Sequence, residues 1–309
     1  MSATDPAPRV AALDVGGTAI KGALVDADGT LAVKRRWITP RTAGPDAVVA
    51  TVLRAVDELV AEGPNVMAVG VVVPGLVDDR AGTAVYSENI GWRDIPFQAL
   101  IAQRTGLPVG FGHDVRAGGL AERTLGAARG ADNVLFLPIG TGISGAMYVD
   151  GRLFDNKYAG EIGHLDIGSG RPCACGGSGC LETVSSAAAI ASRYNQASGA
   201  SVPGALEVLR AMQAGDQTAR RVWEEAVVAL ARALASYVSL LAPDRIVIGG
   251  GLSAAGPMLL EPLRRQLQSL LVWQPHPHLV CAALGENAAC IGASLLARAA
   301  RDHQAQLIS

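Results

Sequence analysis

The residues best equipped for chemistry crowd into one short segment, CACGGSGCLE, residues 173 to 182. Three of the chain's five cysteines, Cys173, Cys175 and Cys180, fall there in the spacing C-x-C-x4-C. Cysteines one residue apart are poorly placed to join each other in a disulfide. Structural zinc takes four sulfur or nitrogen ligands in a tetrahedron, and three cysteines with one histidine are a familiar set. The nearest histidine, His164, stands nine positions before Cys173. Gly176, Gly177 and Gly179 let the chain wrap tightly around an ion. Cys281 and Cys290 read instead as small core residues on a strand and a helix.

Carboxylates gather around this loop. Glu161 and His164 lie three apart in A-G-E-I-G-H and can share a face, while a single residue separates Glu182 from Cys180. Carboxylates and an imidazole converging beside a metal-stiffened loop suit a sugar polyol, because each carboxylate accepts from one or two hydroxyls. On this reading the metal fixes a loop and the loop fixes Glu182. A further carboxylate, Asp114 in GFGHDVRAGG, stands at a strand end just before a helix. Such strand ends line ligand crevices in open α/β sheets. A carboxylate there can accept a proton from a hydroxyl attacking phosphorus, and it can cap the helix at the same time.

Glycine turns supply the phosphate chemistry. Asp14 begins D-V-G-G-T, so Gly16, Gly17 and Thr18 can bring backbone N–H groups and a hydroxyl against phosphate oxygens. A second strand follows, which separates this turn from the strand-to-helix G-x-G-x-x-G of dinucleotide enzymes. Together with Gly140-Thr141-Gly142 it reads as two hairpins holding one polyphosphate. Gly249-Gly250-Gly251 makes a third turn, where a nucleoside could lie because no side chain blocks its approach.

The elements that must position these residues follow from the pattern. Residues 9–38 read as three strands with an Asp28-Gly29 turn, and residues 133–155 repeat that plan around Asp150-Gly151. Gly17 to Gly29 spans 12 positions and Gly140 to Gly151 spans 11, which indicates a duplication of two similar halves. Helices are predicted at 46–62, 97–105, 115–125, 185–198, 203–214, 216–241, 257–271 and 288–300, with strands at 66–73, 107–111 and 244–251. This alternation indicates an α/β architecture.

Composition bounds the partners. The 309 residues are 50% hydrophobic and 17% charged, with a net charge of −2, so a large core is expected and a basic nucleic-acid face is not. No uninterrupted apolar run is long enough to span a membrane. The opening MSATDPAPRV lacks the basic segment and apolar core of a signal peptide. A cytoplasmic location with reduced thiols is the expectation.

Assembled, these motifs resemble the ROK family of bacterial repressors, open reading frames and sugar kinases, and in particular its ATP-dependent glucokinases. The likeness runs from Asp14 to about residue 300. D-V-G-G-T is similar to the family's first phosphate motif, I-G-T-G-I-S-G-A to its second, and A-G-E-I-G-H followed by CACGGSGCLE is the most specific match. The resemblance implies a two-domain actin-like, hexokinase-like fold of duplicated ribonuclease H-like domains, with a cleft that closes on the sugar and keeps water from ATP. It places an N-terminal domain at 1–118, completed by a C-terminal helix at about 288–309, and a second domain with the zinc loop at 119–287. It assigns Zn2+ to His164, Cys173, Cys175 and Cys180, and catalytic-base chemistry to Asp114. Sugar binding falls to Glu161, His164 and Glu182, and to Asn89 because ENIGW is similar to the family's P-N-L-G-W loop. Asp14 would hold the Mg2+ that accompanies ATP. A homodimer is usual among such proteins.

Three departures from the family pattern lie near the presumed sugar. His113 replaces the usual Asn before Asp114, residues 155–158 lack typical glycines, and Glu88 stands where proline is common. The expected activity is phosphorylation of the 6-hydroxyl of a glucose-type hexose. A kinase for an amino sugar such as kanosamine or an N-acetylhexosamine is the alternative. A non-catalytic sugar-sensing regulator is the reading from another class, and the 13 residues before Asp14 are too few for the helix-turn-helix domain of the repressors.

Overall fold

The computed structural model describes residues 8–308. The opening MSATDPA, on which part of the signal-peptide expectation rests, lies outside the described residues. The chain divides into two compact units. One takes in the described residues up to Ala121 and from Glu286 onward, and the other runs from Glu122 to Gly285.

The first unit opens with the meander β1 (Arg9–Val15), β2 (Ala19–Val25) and β3 (Leu31–Ile38). The period-2 alternation of β1 sends Ala11, Leu13 and Val15 into one core and Val10 and Ala12 into another. Helix α1 (Pro45–Glu62) starts on a proline with Asp46 in its first turn and buries Val48, Val52, Ala55, Val56 and Leu59. The continuous apolar run of β4 (Val66–Val73) suits a strand covered on both faces, and it pairs parallel with β1. Strands β5 (Leu76–Asp78), β6 (Thr83–Tyr86) and β7 (Arg93–Ile95) form a separate small antiparallel sheet. Helix α2 (Phe97–Thr105) ends at Gly106 in the left-handed region, and β8 (Val109–His113) then joins β4 in parallel. Helix α3 (Asp114–Leu125) follows without a loop.

The second unit contains β9 (Val134–Pro138), β10 (Ala146–Val149), β11 (Arg152–Leu153), α4 (Glu182–Ser185), α5 (Ala187–Ser198), α6 (Ala205–Gln213), α7 (Gln217–Leu241), β12 (Arg245–Gly249), α8 (Pro257–Leu270) and β13 (His278–Cys281). Asp216 caps α7 by accepting from the Thr218 and Ala219 N–H groups. Helix α9 (Ala288–Ile308) returns to the first unit and lies close on its sheet. A Cβ added at Gly70 would stand 1.9 Å from the Ala293 carbonyl oxygen, so only glycine lets the helix approach β4 this closely.

The two large sheets share one plan. Their orders are β3-β2-β1-β4-β8 and β11-β10-β9-β12-β13: a meander in reverse, then two parallel strands. This repeated mixed sheet with covering helices is the duplicated α/β arrangement of the actin-like ATPases. Some local expectations are corrected. The helix expected over 185–198 breaks at Ser186, whose hydroxyl accepts from the Ala189 N–H and caps α5. The middle strand of the 133–155 meander is short, Ala146–Val149, because the backbone of 143–145 bonds to the A-G-E-I-G-H segment instead.

Candidate functional site

In the first unit, Asp14 ends β1 in register with Lys21 of β2 and Val72 of β4. The turn beyond it is braced from β3's end. The Thr39 hydroxyl donates to the Gly16 carbonyl at 2.7 Å, and the Thr39 N–H donates to Thr18 O at 3.1 Å. Gly16 N–H closes the turn on Ala19 O at 3.0 Å. Among the described residues the N–H groups of Gly17 and Thr18 have no hydrogen-bond partner, and the nearest atom to a Cβ built on Gly17 is Arg41 Nη1 at 3.8 Å. Two adjacent free amides beside open space are what a phosphate oxygen requires.

Asp114 is the first residue of α3, directly after His113 of β8, which pairs with Val73 of β4. Asp14 and Asp114 therefore stand at the same ends of parallel strands, close enough to oppose each other's ionisation. Burial, and next the Asp114 charge, push the Asp14 carboxyl up to about 7 against the pull of Lys21. Such a pair suits a cation, so the residues fit the expected magnesium. The Val115 N–H donates to Asp114 Oδ1 at 2.7 Å and to His113 Nδ1 at 3.2 Å. Asp114 Oδ1 is thus tied to the next N–H of its own helix. His113 Nδ1 also lies 3.3 Å from Asp114 Oδ1. Arg116 anchors the same turn through Asp79 Oδ1 at 3.0 Å and Val77 O at 3.1 Å.

Asn89 lies in a tight turn closed by the Gly91 N–H on Ser87 O at 2.7 Å. Ile90 and Trp92 are buried in the core while Glu88 and Asn89 are exposed, so the apolar residues of ENIGW pin the loop and present its polar ones. Glu88 accepts from the Tyr86 hydroxyl.

In the second unit, the Gly140 N–H bonds to Gly142 O at 2.9 Å, leaving the Thr141 and Gly142 N–H groups without partners among the described residues. The third turn is stitched to the second at Ile139, which donates to Gly249 O and accepts from the Leu252 N–H, both at 3.0 Å. Gly250 has φ 70°, and a Cβ there would fall 2.5 Å from Ile139 O. Glycine is needed at that position on both counts.

The cysteine loop is a short ribbon. Asp166 pairs with Cys180 and Pro172 with Ser178, and the Cys173 N–H donates to Gly177 O at 2.9 Å. It brings the ligand atoms of His164, Cys173, Cys175 and Cys180 within 4.8 Å of one another. Cys175 and Cys180 sulfurs are 3.7 Å apart, and Cys173 Sγ is 3.7 Å from His164 Nδ1. A tetrahedral zinc with Zn–S bonds of about 2.3 Å needs sulfur–sulfur edges of about 3.8 Å, so the four residues fit zinc. Desolvation pushes the Cys180 thiol up to about 12, a cost that a bound cation would remove. His164 turns Nδ1 to the sulfurs, while its Nε2 lies 4.0 Å from Glu161 Oε2. Glu182, at the start of α4, accepts from the Ile143 N–H through Oε2 at 2.9 Å.

The structure thus groups the predicted residues by unit. Asp14, Gly16, Gly17, Thr18, Asn89, His113 and Asp114 belong to the first, and the other two glycine turns, Glu161, Glu182 and the metal set to the second. Thr39, Lys21 and Arg41 were not anticipated. The Arg41 guanidinium lies 3.8 Å from the Gly17 Cβ position and 3.4 Å from Asn89 O. Lys21 was findable, since a hairpin turning at Gly16-Gly17 places it opposite Asp14. Thr39 and Arg41 follow a strand far along the chain, and no spacing rule connects them to the turn.

Comparison with known proteins gives these parts a family. The ROK family profile matches residues 10–300. A glucokinase from Streptomyces coelicolor is 32% identical over 93% of this chain and 96% of its own length. A ROK hexokinase structure from Thermus thermophilus superposes with a TM-score of 0.83 at 33% identity, covering 96% of this chain and 99% of that one. A ROK glucokinase from Streptomyces griseus, solved with glucose and AMPPNP, gives 0.81 at 30% identity, over 94% and 99%. With a profile match across nearly all of its length, the chain belongs to the ROK family.

Proposed function

We propose that the protein is a sugar kinase that transfers the γ-phosphoryl group of ATP to the 6-hydroxyl of a glucose-type hexose. The observation that carries this is the pairing of Asp14 and Asp114 at the ends of parallel strands, one carboxylate for a cation and one for a proton. The similarity to glucokinases supports it.

Asp114 is the general base. Its Oδ1 is held by the Val115 N–H, which fixes the carboxylate that takes the proton from the attacking hydroxyl. Asp14 is the magnesium-side carboxylate; the ion, when bound, neutralises charge on the phosphates. Glu161, His164 and Glu182 bind sugar hydroxyls, with Asn89 and His113 from the first unit. The glycine turns take the ATP phosphates and nucleoside. Zinc on His164, Cys173, Cys175 and Cys180 stiffens the loop that carries Glu182. Among the described residues no helix is long and apolar enough to cross a membrane. A homodimer, usual among such proteins, is the expected assembly and is checked by light scattering.

The test is ADP formation from Mg-ATP across glucose, mannose, N-acetylglucosamine, N-acetylmannosamine, glucosamine and kanosamine. Glucose turnover lost by about 10²- to 10⁴-fold in Asp114→Asn, with sugar binding retained, is the expected result. Undiminished turnover in that variant refutes Asp114 as the base. Silence of the parent across the panel, with sugar bound, makes it a sugar-sensing regulator instead.

A further inference from the structure

We infer that Glu182 is a positioning residue for the phosphates of the donor: its carboxylate ties the metal-bearing loop to the second glycine turn and holds that turn's free amides in place. The inference rests on reading that turn as a phosphate site, but it gives Glu182 a task distinct from sugar binding.

Several contacts converge on residues 140 to 143. Ile143 donates its N–H to Glu182 Oε2 at 2.9 Å and accepts from the Gly163 N–H at 3.2 Å. A Cβ on Gly163 would lie 2.3 Å from Ile143 O, so only glycine permits that second bond. The carboxylate also packs flush against the turn, since a Cβ on Gly142 would lie 2.5 Å from Glu182 Oε2. From the other side, Ala187 at the start of α5 donates to Gly140 O at 2.9 Å. The amides of Thr141 and Gly142 are what remains available to a ligand, and their direction is set by these clamps.

Among them the Glu182 bond is the one made by an ionisable side chain. A hydrogen bond to a charged group is roughly twice as strong as a neutral one. The carboxylate has two oxygens, so Oε2 can hold the turn while Oε1 serves a sugar hydroxyl. Glu182 begins two residues after Cys180, and the ribbon around the cysteines sets where α4 starts. Metal in the loop is therefore felt at the phosphate turn through the Glu182 side chain, beside the backbone bond from Gly163, the neighbour of His164.

The test is calorimetric titration of the magnesium complex of AMPPNP into the full-length zinc-loaded protein without sugar, so that neither turnover nor sugar affinity enters. Glu182→Ala should weaken binding by about tenfold. Glu182→Gln should restore most of it, because the amide carbonyl still accepts from the Ile143 N–H, while glucose affinity stays impaired. Gly142→Ala should weaken binding too, since its methyl displaces the carboxylate, and it should add little in the Glu182→Ala background. Removing the metal from the parent with a chelator should lower nucleotide affinity as Glu182→Ala does. Unchanged nucleotide affinity in a folded Glu182→Ala protein overturns the inference and leaves the kinase reading intact. If Glu182→Ala does not fold, parent-like affinity in Gly142→Ala overturns it equally. A parent that binds no AMPPNP overturns the phosphate reading and this inference together.

Discussion

The first and second glycine turns occupy matching places in two copies of the same sheet, yet their charges are deployed differently. Among the described residues each leaves two consecutive amides without a partner, Gly17 and Thr18 in one, Thr141 and Gly142 in the other. The first is braced by a neutral hydroxyl, Thr39, and its carboxylate, Asp14, sits in the strand before the turn. The second has Leu137-Pro138-Ile139 in that strand and is braced by the carboxylate of Glu182. Burial, and next the Asp114 charge, raise the Asp14 carboxyl and favour its neutral form until a cation arrives. The backbone plan is the same and the charge is placed differently: one turn has a carboxylate in the strand that leads into it, the other a carboxylate that reaches it from the start of α4.

The largest effects should come from removing those charges or the metal. Asp14→Asn is expected to cut glucose phosphorylation by about 10²- to 10³-fold, measured by coupled ADP release. It should also stabilise the metal-free protein at neutral pH. The Asp14 carboxyl rises from 3.8 to about 7 on folding, so between those values the folded chain keeps a proton that the unfolded chain has lost. Stability therefore falls as pH rises through that window, at about 1.4 kcal/mol per pKa unit. Melting curves of the parent and Asp14→Asn should coincide near pH 4 and separate by several degrees by pH 8, with the variant higher. Cys175→Ser acts on the other unit. Metal analysis should fall from about one zinc per chain to near none, and the melting temperature should drop with it, because metal affinity is folding energy. An unchanged melting temperature would detach the metal from the second turn and break the contrast.

How much of this was legible depends on the range of the signal. Both meanders, α1 and α7 with its Asp216 cap, and the His164–Cys180 metal set follow from spacing within a few tens of residues, and the structure forms each. The small sheet β5-β6-β7 was missed because its strands run only three or four residues, too short for alternation to register. The break at Ser186 was missed because the alanine-rich run that follows reads as one helix with Ser185, and only the cap geometry separates them. Glu182 was chosen as a sugar ligand from its nearness to Cys180. Its bond to Ile143 joins residues 39 apart and needs coordinates to be seen. Thr39, 23 residues from Gly16, is the same case in the first unit.

A smaller effect separates glycines that serve ligands from those that serve the fold. Neither Gly17 nor Gly140 has a positive φ, and a Cβ at Gly140 meets nothing within 4 Å. Alanine at either site should change the melting temperature by no more than a degree or two while weakening AMPPNP binding by about tenfold, since the added methyl occupies the space a phosphate needs. Gly250→Ala should do the reverse in part, lowering stability first, because its φ of 70° and the nearby Ile139 oxygen resist a side chain. Stability losses at Gly17 and Gly140 equal to that at Gly250 would make all three plain tight turns.

The smallest expected effect is the most discriminating. Thr39→Val removes the hydroxyl that bonds Gly16 O at 2.7 Å and preserves the shape of a side chain that is 6% exposed. One neutral hydrogen bond contributes about 1 kcal/mol net, so denaturant midpoints should register a loss of that order. The Thr39 N–H still holds Thr18 O at 3.1 Å, and the ladder between β2 and β3 still fixes the strand that leads to it. Nucleotide affinity should therefore fall by less than about threefold, against about tenfold for Glu182→Ala. If the two braces cost the same affinity, a neutral brace suffices and the carboxylate at the second turn is there for the sugar alone. If they differ as expected, the hydrogen bond from the Glu182 side chain is what keeps the second turn's amides aligned when the metal loop is in place.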